Sequence, residues 1–91
     1  MGAERLPVDP VEIDVHAIFG AFGETALQRN LPDYEAAALR QAGVGRDVVL
    51  TGRGPIWLYL RLAHALHGTA RTLRYRAPEA GDVLIFDHAS R

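Results

Sequence analysis

Residues 47–68 read DVVLTGRGPIWLYLRLAHALHG and combine a short apolar run, a glycine-rich turn and a helical pattern. The apolar run at 47–51 is typical of a buried strand. Pro55 suits the first turn of a helix that runs to about residue 67, and Gly68 is a C-terminal stop signal. The stretch predicts a strand that leads through a tight turn directly into a helix, as in α/β domains.

The sequence before this stretch predicts one more strand and one more helix. Residues 11–18 alternate apolar and polar side chains, which predicts a half-buried strand. The glycines within 19–23 indicate that a bulge or turn interrupts it. Residues 32–41 begin with Pro, carry acidic residues in the first turn and are followed closely by Gly43. These are the start and stop signals of a helix.

The sequence after the stretch predicts two further strands. They cover 72–76 and 82–86, and a turn-rich connector at 77–81 separates them. We therefore expect residues 11–91 to form a single small α/β domain with helices and a mixed sheet. Residues 1–10 contain two prolines without periodicity and are expected to be a flexible leader.

The composition limits the classes of protein to which the chain can belong. It has 91 residues, 48% of them apolar, and no cysteine, which excludes disulfides, thiolate nucleophiles and cysteine-ligated metal sites. No apolar run approaches the ~20 residues that span a bilayer, and the N-terminus lacks a signal-peptide pattern. We expect a cytoplasmic protein without a membrane partner. Because so small a domain leaves much of its surface exposed, self-association is also expected.

Basic charge comes from Arg alone and lies mostly in the second half of the chain. The sequence has ten Arg and no Lys, against eleven acidic residues. Residues 1–45 hold three Arg and seven acidic residues, whereas residues 46–91 hold seven Arg and four acidic residues. A GC-rich genome explains the missing Lys most simply, but it does not explain this distribution. We expect an anionic ligand to bind in the second half.

The glycine-rich turn has the features of an anion site. Gly52 and Gly54 permit close backbone approach, and Arg53 offers a planar fork of donors. The turn opens a helix, whose first backbone N–H groups and dipole favour a phosphate or carboxylate. We therefore predict that Thr51, Pro55 and the three residues between them contact the ligand. The alternative is a tight connection in which Arg53 is a solvated charge.

The helix after the turn has two different faces. Its apolar arc is expected to consist of Ile56, Leu58, Tyr59, Leu62, Ala63 and Leu66. Trp57, Arg61 and His64 share the other face, where Trp and Arg can stack on bases and grip phosphates and His can transfer protons. The alternative for Trp57 is an anchor in the core or in a subunit interface. His64 and His67 are also a possible metal-binding pair.

His88 is a further candidate for proton transfer. It follows the strand predicted at 82–86 and stands beside Asp87. Strand ends next to a helix N-terminus are where small α/β domains form sites, so His88 is a candidate general acid or base. The alternative is a surface histidine at a frayed C-terminus.

The residues from Thr51 to Tyr59, TGRGPIWLY, followed by Leu62, Ala63 and His64, resemble the signature of a small CRISPR-associated family of type III systems. Its members are the ring nucleases once described as RNA deadenylases. The resemblance extends from about residue 11 to residue 88. It implies a fold distantly similar to the nucleotide-sensing domains of type III effectors. It also implies that the protein binds cyclic tetra-adenylate and cleaves it to linear products, which switches the antiviral response off. We expect no DNA partner.

The resemblance further implies a cofactor, an assembly and site residues. Mn²⁺ supports cleavage in the family, and two dimers sandwich the ligand into a tetramer, with catalytic groups from different subunits. His64 matches the family's helix histidine, and His88 matches the histidine that closes the later strand. We therefore expect a dimer or tetramer in which these two histidines are catalytic.

The chain departs from the family at one catalytic segment. Where the family has Tyr-Asp-Pro-Arg, this chain has residues 75–78, Tyr-Arg-Ala-Pro. The candidate replacements for the missing carboxylate are Glu79, Asp82 and Asp87, and those for the missing cation are Arg74 and Arg76. A shifted side chain need not reach the same point, and small misplacements are costly in catalysis. The alternative function is therefore a sensor or sponge that binds cyclic oligoadenylate without cleaving it.

Overall fold

The computed structural model describes residues 9–89, which contain four strands and three α-helices. In chain order the elements are β1 (Val11–Asp14), α1 (Val15–Gly20), a 3-10 turn (Gln28–Asn30), α2 (Leu31–Ala42), β2 (Asp47–Thr51), α3 (Ile56–Leu66), β3 (Thr72–Ala77) and β4 (Gly81–Asp87). Most of the leader expected at 1–10 lies outside the described residues. Within 9–89, no helix is long and apolar enough to cross a bilayer.

The four strands form one mixed sheet, as the sequence predicts. Their order is β1-β2-β3-β4; the first three are parallel, and β4 runs antiparallel to β3. Each parallel connection contains a helix. Because such crossovers are right-handed, two successive ones in the same direction place α2 and α3 on the same face of the sheet. The two helices pack against each other on that face. The carboxyl ends of β1, β2 and β3 therefore meet at one edge, called here the carboxyl edge.

The core lies between this face of the sheet and the helices. Ile13, Leu50 and Leu73 of the sheet are at most 2% exposed and belong to one cluster with the buried residues of the helices. The helical members include Tyr34, Ala38, Ala42, Leu58, Leu62 and Leu66. Full burial of a large aliphatic side chain contributes roughly 1.5–3 kcal/mol, so this cluster is the main source of stability.

The prediction of a strand over residues 11–18 is wrong for its second half, which is helical. The strand β1 ends at Asp14, and α1 begins at the next residue. The Asp14 carboxylate accepts hydrogen bonds from the backbone N–H groups of His16 and Ala17, at 3.0 and 3.3 Å. An Asp at this position favours a helix start. Burial then follows helical spacing rather than alternation, because Val15, Ile18 and Phe19 are buried and Ala17 is exposed.

The apolar arc expected on α3 is wrong at Ile56. The buried residues of α3 are Leu58, Leu62 and Leu66, a narrow stripe with a spacing of four. Ile56 is 77% exposed, and its neighbour one turn later, Leu60, is 65% exposed.

The bounds of the other predicted elements are confirmed to within two residues at each end. These elements are α2, β2, α3, β3 and β4.

A close approach joins the β1–α1 junction to the turn after β2. Gly52 has φ +92°, in the region that favours glycine. A Cβ atom on it would lie 2.1 Å from Asp14 Oδ1 and 3.3 Å from the backbone nitrogen of Val15. Asp14 cannot move away freely, because the same carboxylate caps α1. The contact therefore requires a residue without a side chain at position 52.

We predict that Gly52→Ala lowers the free energy of unfolding by about 2 kcal/mol or more, because it adds backbone strain and displaces the cap of α1. Urea denaturation followed by circular dichroism measures the change. The matched control is Gly68→Ala, since a Cβ on Gly68 meets no atom within 4 Å. Equal stability of the two variants would contradict the predicted contact.

Candidate functional site

The candidate site is built on the glycine turn, defined here as residues 52–54, at the carboxyl edge of the sheet. Thr51 is the last residue of β2, and α3 begins two residues after the turn. A Cβ on Gly54 would lie 3.0 Å from Val15 Cγ1 and 3.3 Å from Phe19 Cε2. A side chain at position 54 would therefore require the side chains of Val15 and Phe19 in α1 to move. The sequence predicts that these glycines let a ligand approach the backbone, but residues at the start of α1 occupy the space beside both of them.

Tyr59 fixes the turn from the other side. Its hydroxyl donates a hydrogen bond to the carbonyl oxygen of Gly52. Burial raises the pKa of the Tyr59 hydroxyl, and the neighbouring Tyr75 and Asp14 raise it further, so the group stays a donor well above neutral pH. The rings of Tyr59 and Tyr75 meet edge to face, with centroids 5.2 Å apart. The sequence places Tyr59 on the apolar arc and gives no signal for this bond.

The outer side of the turn presents positive charge and backbone donors. Arg53 is exposed. Pro55 occupies the N-cap of α3 without a side-chain hydrogen bond, so the first backbone N–H groups of the helix have no cap from that residue. The positive end of the helix dipole lies at the same point. Together these groups can bind a phosphate or another anion.

Trp57 and Arg61 extend the site along α3. Trp57 is half-buried and packs against the edge of the core. Arg61 is exposed, with its Nη2 3.4 Å from Glu35 Oε2 of α2. Both side chains line a groove between α3 and the segment that leads into α2. Trp57 and Arg61, two of the three residues expected to share a face, thus lie along one groove, whereas His64 does not line it.

The two histidines expected to be catalytic lie away from the glycine turn within one chain. His64 is in the last turn of α3, eight residues after the first residue of that helix, Ile56, or ~12 Å along the helix axis. His88 follows β4, which is antiparallel to its neighbour, and its backbone N–H donates to the Arg71 carbonyl at 2.8 Å, beside the start of β3. Both therefore lie toward the amino ends of the parallel strands. The structure does not bring His88 next to a helix N-terminus.

His88 instead meets His67. The ring centroids of these two residues are 4.6 Å apart, and Phe86 lies 5.0 Å from His67. The contact was not predicted from the sequence, which pairs His67 with His64 on one helix. Within residues 9–89 no group of three or more His, Asp or Glu side chains is placed to hold a metal ion. The described part of a single chain therefore does not fit the Mn²⁺ that the resemblance implies, and no step is assigned to that ion.

Of the three candidate carboxylates, Asp82 is already engaged. Arg76 Nε donates to Asp82 Oδ1 at 2.9 Å and Nη2 to Oδ2 at 3.3 Å. These hydrogen bonds hold the pKa of Asp82 below its usual range and raise that of Arg76. Glu79 is exposed in the turn between β3 and β4, at the carboxyl edge. Asp87 pairs with Thr72 at the opposite end of β3 and is the candidate that lies near His88.

The acidic first half of the chain also contributes to the carboxyl edge. Glu12 Oε2 lies 3.1 Å from Arg76 Nη1, and this ion pair reaches across β2. Asp14 supports Gly52, and exposed His16 follows it at the start of α1. The alternating pattern of residues 11–18 places Glu12, Asp14 and His16 on its polar side, whereas the charge distribution predicts a ligand site in the second half. Acidic residues of the first half therefore contact residues of the basic half at this edge.

The comparison with known proteins places the chain in a family. No solved structure matches the chain. Residues 28–91 match the family described as CRISPR-associated protein (Cas_csx3). The match begins at the 3-10 turn and includes α2, the glycine turn, α3 and both strands of the hairpin. Because it covers well over half of the sequence, the chain belongs to the Cas_csx3 family of CRISPR-associated proteins.

Proposed function

We propose that the protein binds a cyclic oligoadenylate, most specifically cyclic tetra-adenylate, and cleaves it to linear products as a ring nuclease of type III CRISPR defence. One observation carries the proposal. Exposed Arg53 lies in the glycine turn, next to the start of α3, whose backbone N–H groups have no side-chain cap. The turn packs against α1 and accepts a hydrogen bond from Tyr59, and the chain belongs to a CRISPR-associated family. The identity of the ligand is inferred from the resemblance of TGRGPIWLY to the ring nuclease signature.

The ligand matches the chemistry of the turn. A cyclic oligoadenylate carries one phosphodiester per nucleotide, and each has a negative charge at neutral pH. Backbone N–H groups at a helix start and a guanidinium fork are suited to phosphate oxygens. The close packing of Gly52 and Gly54 against α1 fixes the turn before the ligand arrives, which reduces the entropy lost on binding.

The proposed reaction is an internal transfer at phosphorus. The 2′-hydroxyl oxygen of one ribose attacks the adjacent phosphorus, a general base takes the hydroxyl proton, and a general acid protonates the departing 5′-oxygen. The ring opens to a linear product with a 2′,3′-cyclic phosphate and a 5′-hydroxyl. Arg53 would stabilise the charge that develops on the phosphate, and His64 and His88 are the candidate base and acid.

This assignment requires a second copy of the chain. The glycine turn and the two histidines lie toward opposite edges of one sheet, so a phosphate at the turn of one copy must meet histidines of another. An apolar surface is available for such an assembly. Ile56 and Leu60 of α3 face Ile85 of β4 across a cleft of about 240 Å³, and all three are exposed. We assign this cleft to a second copy in a symmetric dimer.

A specific observation favours binding without cleavage as the second candidate function. Arg76 stands where the resemblance expects an aspartate, which reverses the charge at that position. Arg76 also forms ion pairs with the carboxylates of Glu12 and Asp82, and its hydrogen bonds to Asp82 lower the pKa of that candidate carboxylate. A protein that keeps the phosphate site but lacks this carboxylate would act as a sensor or sponge.

We predict that the purified protein converts radiolabelled cyclic tetra-adenylate to linear products, with and without added Mn²⁺ as parallel conditions. His64→Ala and His88→Ala should each slow conversion at least tenfold while binding stays within threefold. Gel separation of products and isothermal titration calorimetry make the two measurements. Tight binding with an intact ring would replace cleavage by the sensor function, and absence of binding would overturn both.

We predict that Arg53→Ala weakens binding of cyclic tetra-adenylate at least tenfold, because it removes the two-pronged contact to phosphate. The matched control is Arg40→Ala, which removes the same charge from the last turn of α2. Calorimetry should place the control within twofold of the natural protein. Equal losses in the two variants would show that only net charge matters.

We predict that Ile85→Asp shifts the protein from dimer toward monomer, because it buries a carboxylate in an apolar interface. Light scattering after size-exclusion chromatography measures the mass. The matched control is Val44→Asp, at a position that is 82% exposed and outside the cleft. A dimer that persists in Ile85→Asp would exclude this cleft as the interface.

A further inference from the structure

We infer that the groove beside the first two turns of α3 is a purine pocket, which takes an adenine base of the ligand bound at the glycine turn. This inference rests on the proposed function and adds the part of the site that recognises the base. The groove is lined by Leu27, Gln28, Leu31, Trp57, Leu60 and Arg61. Its walls come from α3 on one side and from the segment around the 3-10 turn on the other.

The size and lining of the groove suit a flat heteroaromatic ring. Its volume is about 570 Å³, within the range of small-molecule sites. Three leucines contribute to the apolar wall, and one of them, Leu31, is buried at the start of α2. The half-buried indole of Trp57 adds an aromatic surface. Stacking of a base on an aromatic side chain contributes roughly 1–3 kcal/mol, so Trp57 is the main anchor.

The polar groups around the groove suit the edge of adenine. Adenine presents an amino donor next to a ring-nitrogen acceptor, and a side-chain amide carries the complementary acceptor and donor. Gln28 supplies such an amide. Arg61 adds a guanidinium, and its contact with Glu35 at 3.4 Å keeps the two helices linked beside the groove. The groove therefore offers hydrogen bonds as well as a stacking surface.

The position of the groove connects it to the phosphate site. Trp57 lies three residues after Gly54, within the first turn of α3, so a nucleotide with its phosphate at the turn has its base within reach. The cleft between α3 and β4 shares Leu60 with the groove but differs in its polar lining, since Tyr59 and Tyr75 are its only polar side chains. That lining suits protein burial, whereas the lining around Trp57 suits a base.

The test uses the fact that Trp57 is the only tryptophan of the chain. Its fluorescence reports the groove directly in the natural protein. Titration with adenosine 5′-monophosphate should quench the emission saturably, and ribose 5-phosphate, which lacks the base, should not. Equal effects of the two compounds, or none from either, would overturn the purine pocket.

A matched pair of variants locates the base. Leu27→Glu places a carboxylate in the groove, and Leu39→Glu places one on α2 outside it, at positions 38% and 36% exposed. Quenching by adenosine 5′-monophosphate should weaken at least fivefold in Leu27→Glu and stay within twofold in Leu39→Glu. Equal behaviour of the two variants would place the base elsewhere. Circular dichroism melts check that both variants fold.

The outcomes separate this inference from the proposed function. Calorimetric binding of cyclic tetra-adenylate without a change in Trp57 fluorescence would overturn the purine pocket and leave the proposed function. Quenching by adenosine 5′-monophosphate without binding of the cyclic ligand would overturn the proposed function and leave a purine pocket for another nucleotide.

Discussion

The structure depends on the close packing of two connections at the carboxyl edge of the sheet, one after β1 and one after β2. The junction of β1 and α1 lies against the turn that joins β2 to α3, and Gly52 has no space for a Cβ beside Asp14. The same Asp14 carboxylate starts α1, and the Tyr59 hydroxyl holds the carbonyl of Gly52. One contact thus positions the short helix, the strand pair and the turn proposed to bind phosphate.

The direction of β4 decides what a single copy can do. Because β4 is antiparallel to β3, the residue that follows it lies beside Arg71, at the start of β3. A parallel fourth strand would have delivered His88 to the edge that holds Arg53. The described chain has the glycine turn, proposed here to bind phosphate, toward one edge and a pair of contacting histidines, His67 and His88, at the other. For this reason the proposed reaction uses groups from two copies of the chain.

Much of the fold can be predicted from the sequence, because strong local signals mark α2, β2 and α3. The mixed sheet follows from the order of the elements. The error at residues 11–18 arose because Asp14 ends an alternating pattern by capping a helix, an interaction that alternation cannot reveal. The pairings of His67 with His88 and of Glu12 with Arg76 join residues distant in sequence, so they required the sheet register. The glycine turn was predictable, since both its glycines and its helix start are local.

The face of the sheet opposite the helices differs from the helix-covered face, because ion pairs of Arg76 link its strands. Glu12, Arg76 and Asp82 link β1, β3 and β4 by charge, whereas the helix-covered face is held by apolar burial. Ion pairs at an exposed surface are screened by dissolved salt, and apolar burial is not. The two faces of this sheet therefore respond differently to ionic strength. In a salt-rich medium the cohesion of β1 comes increasingly from its helix-facing side and its backbone ladder with β2.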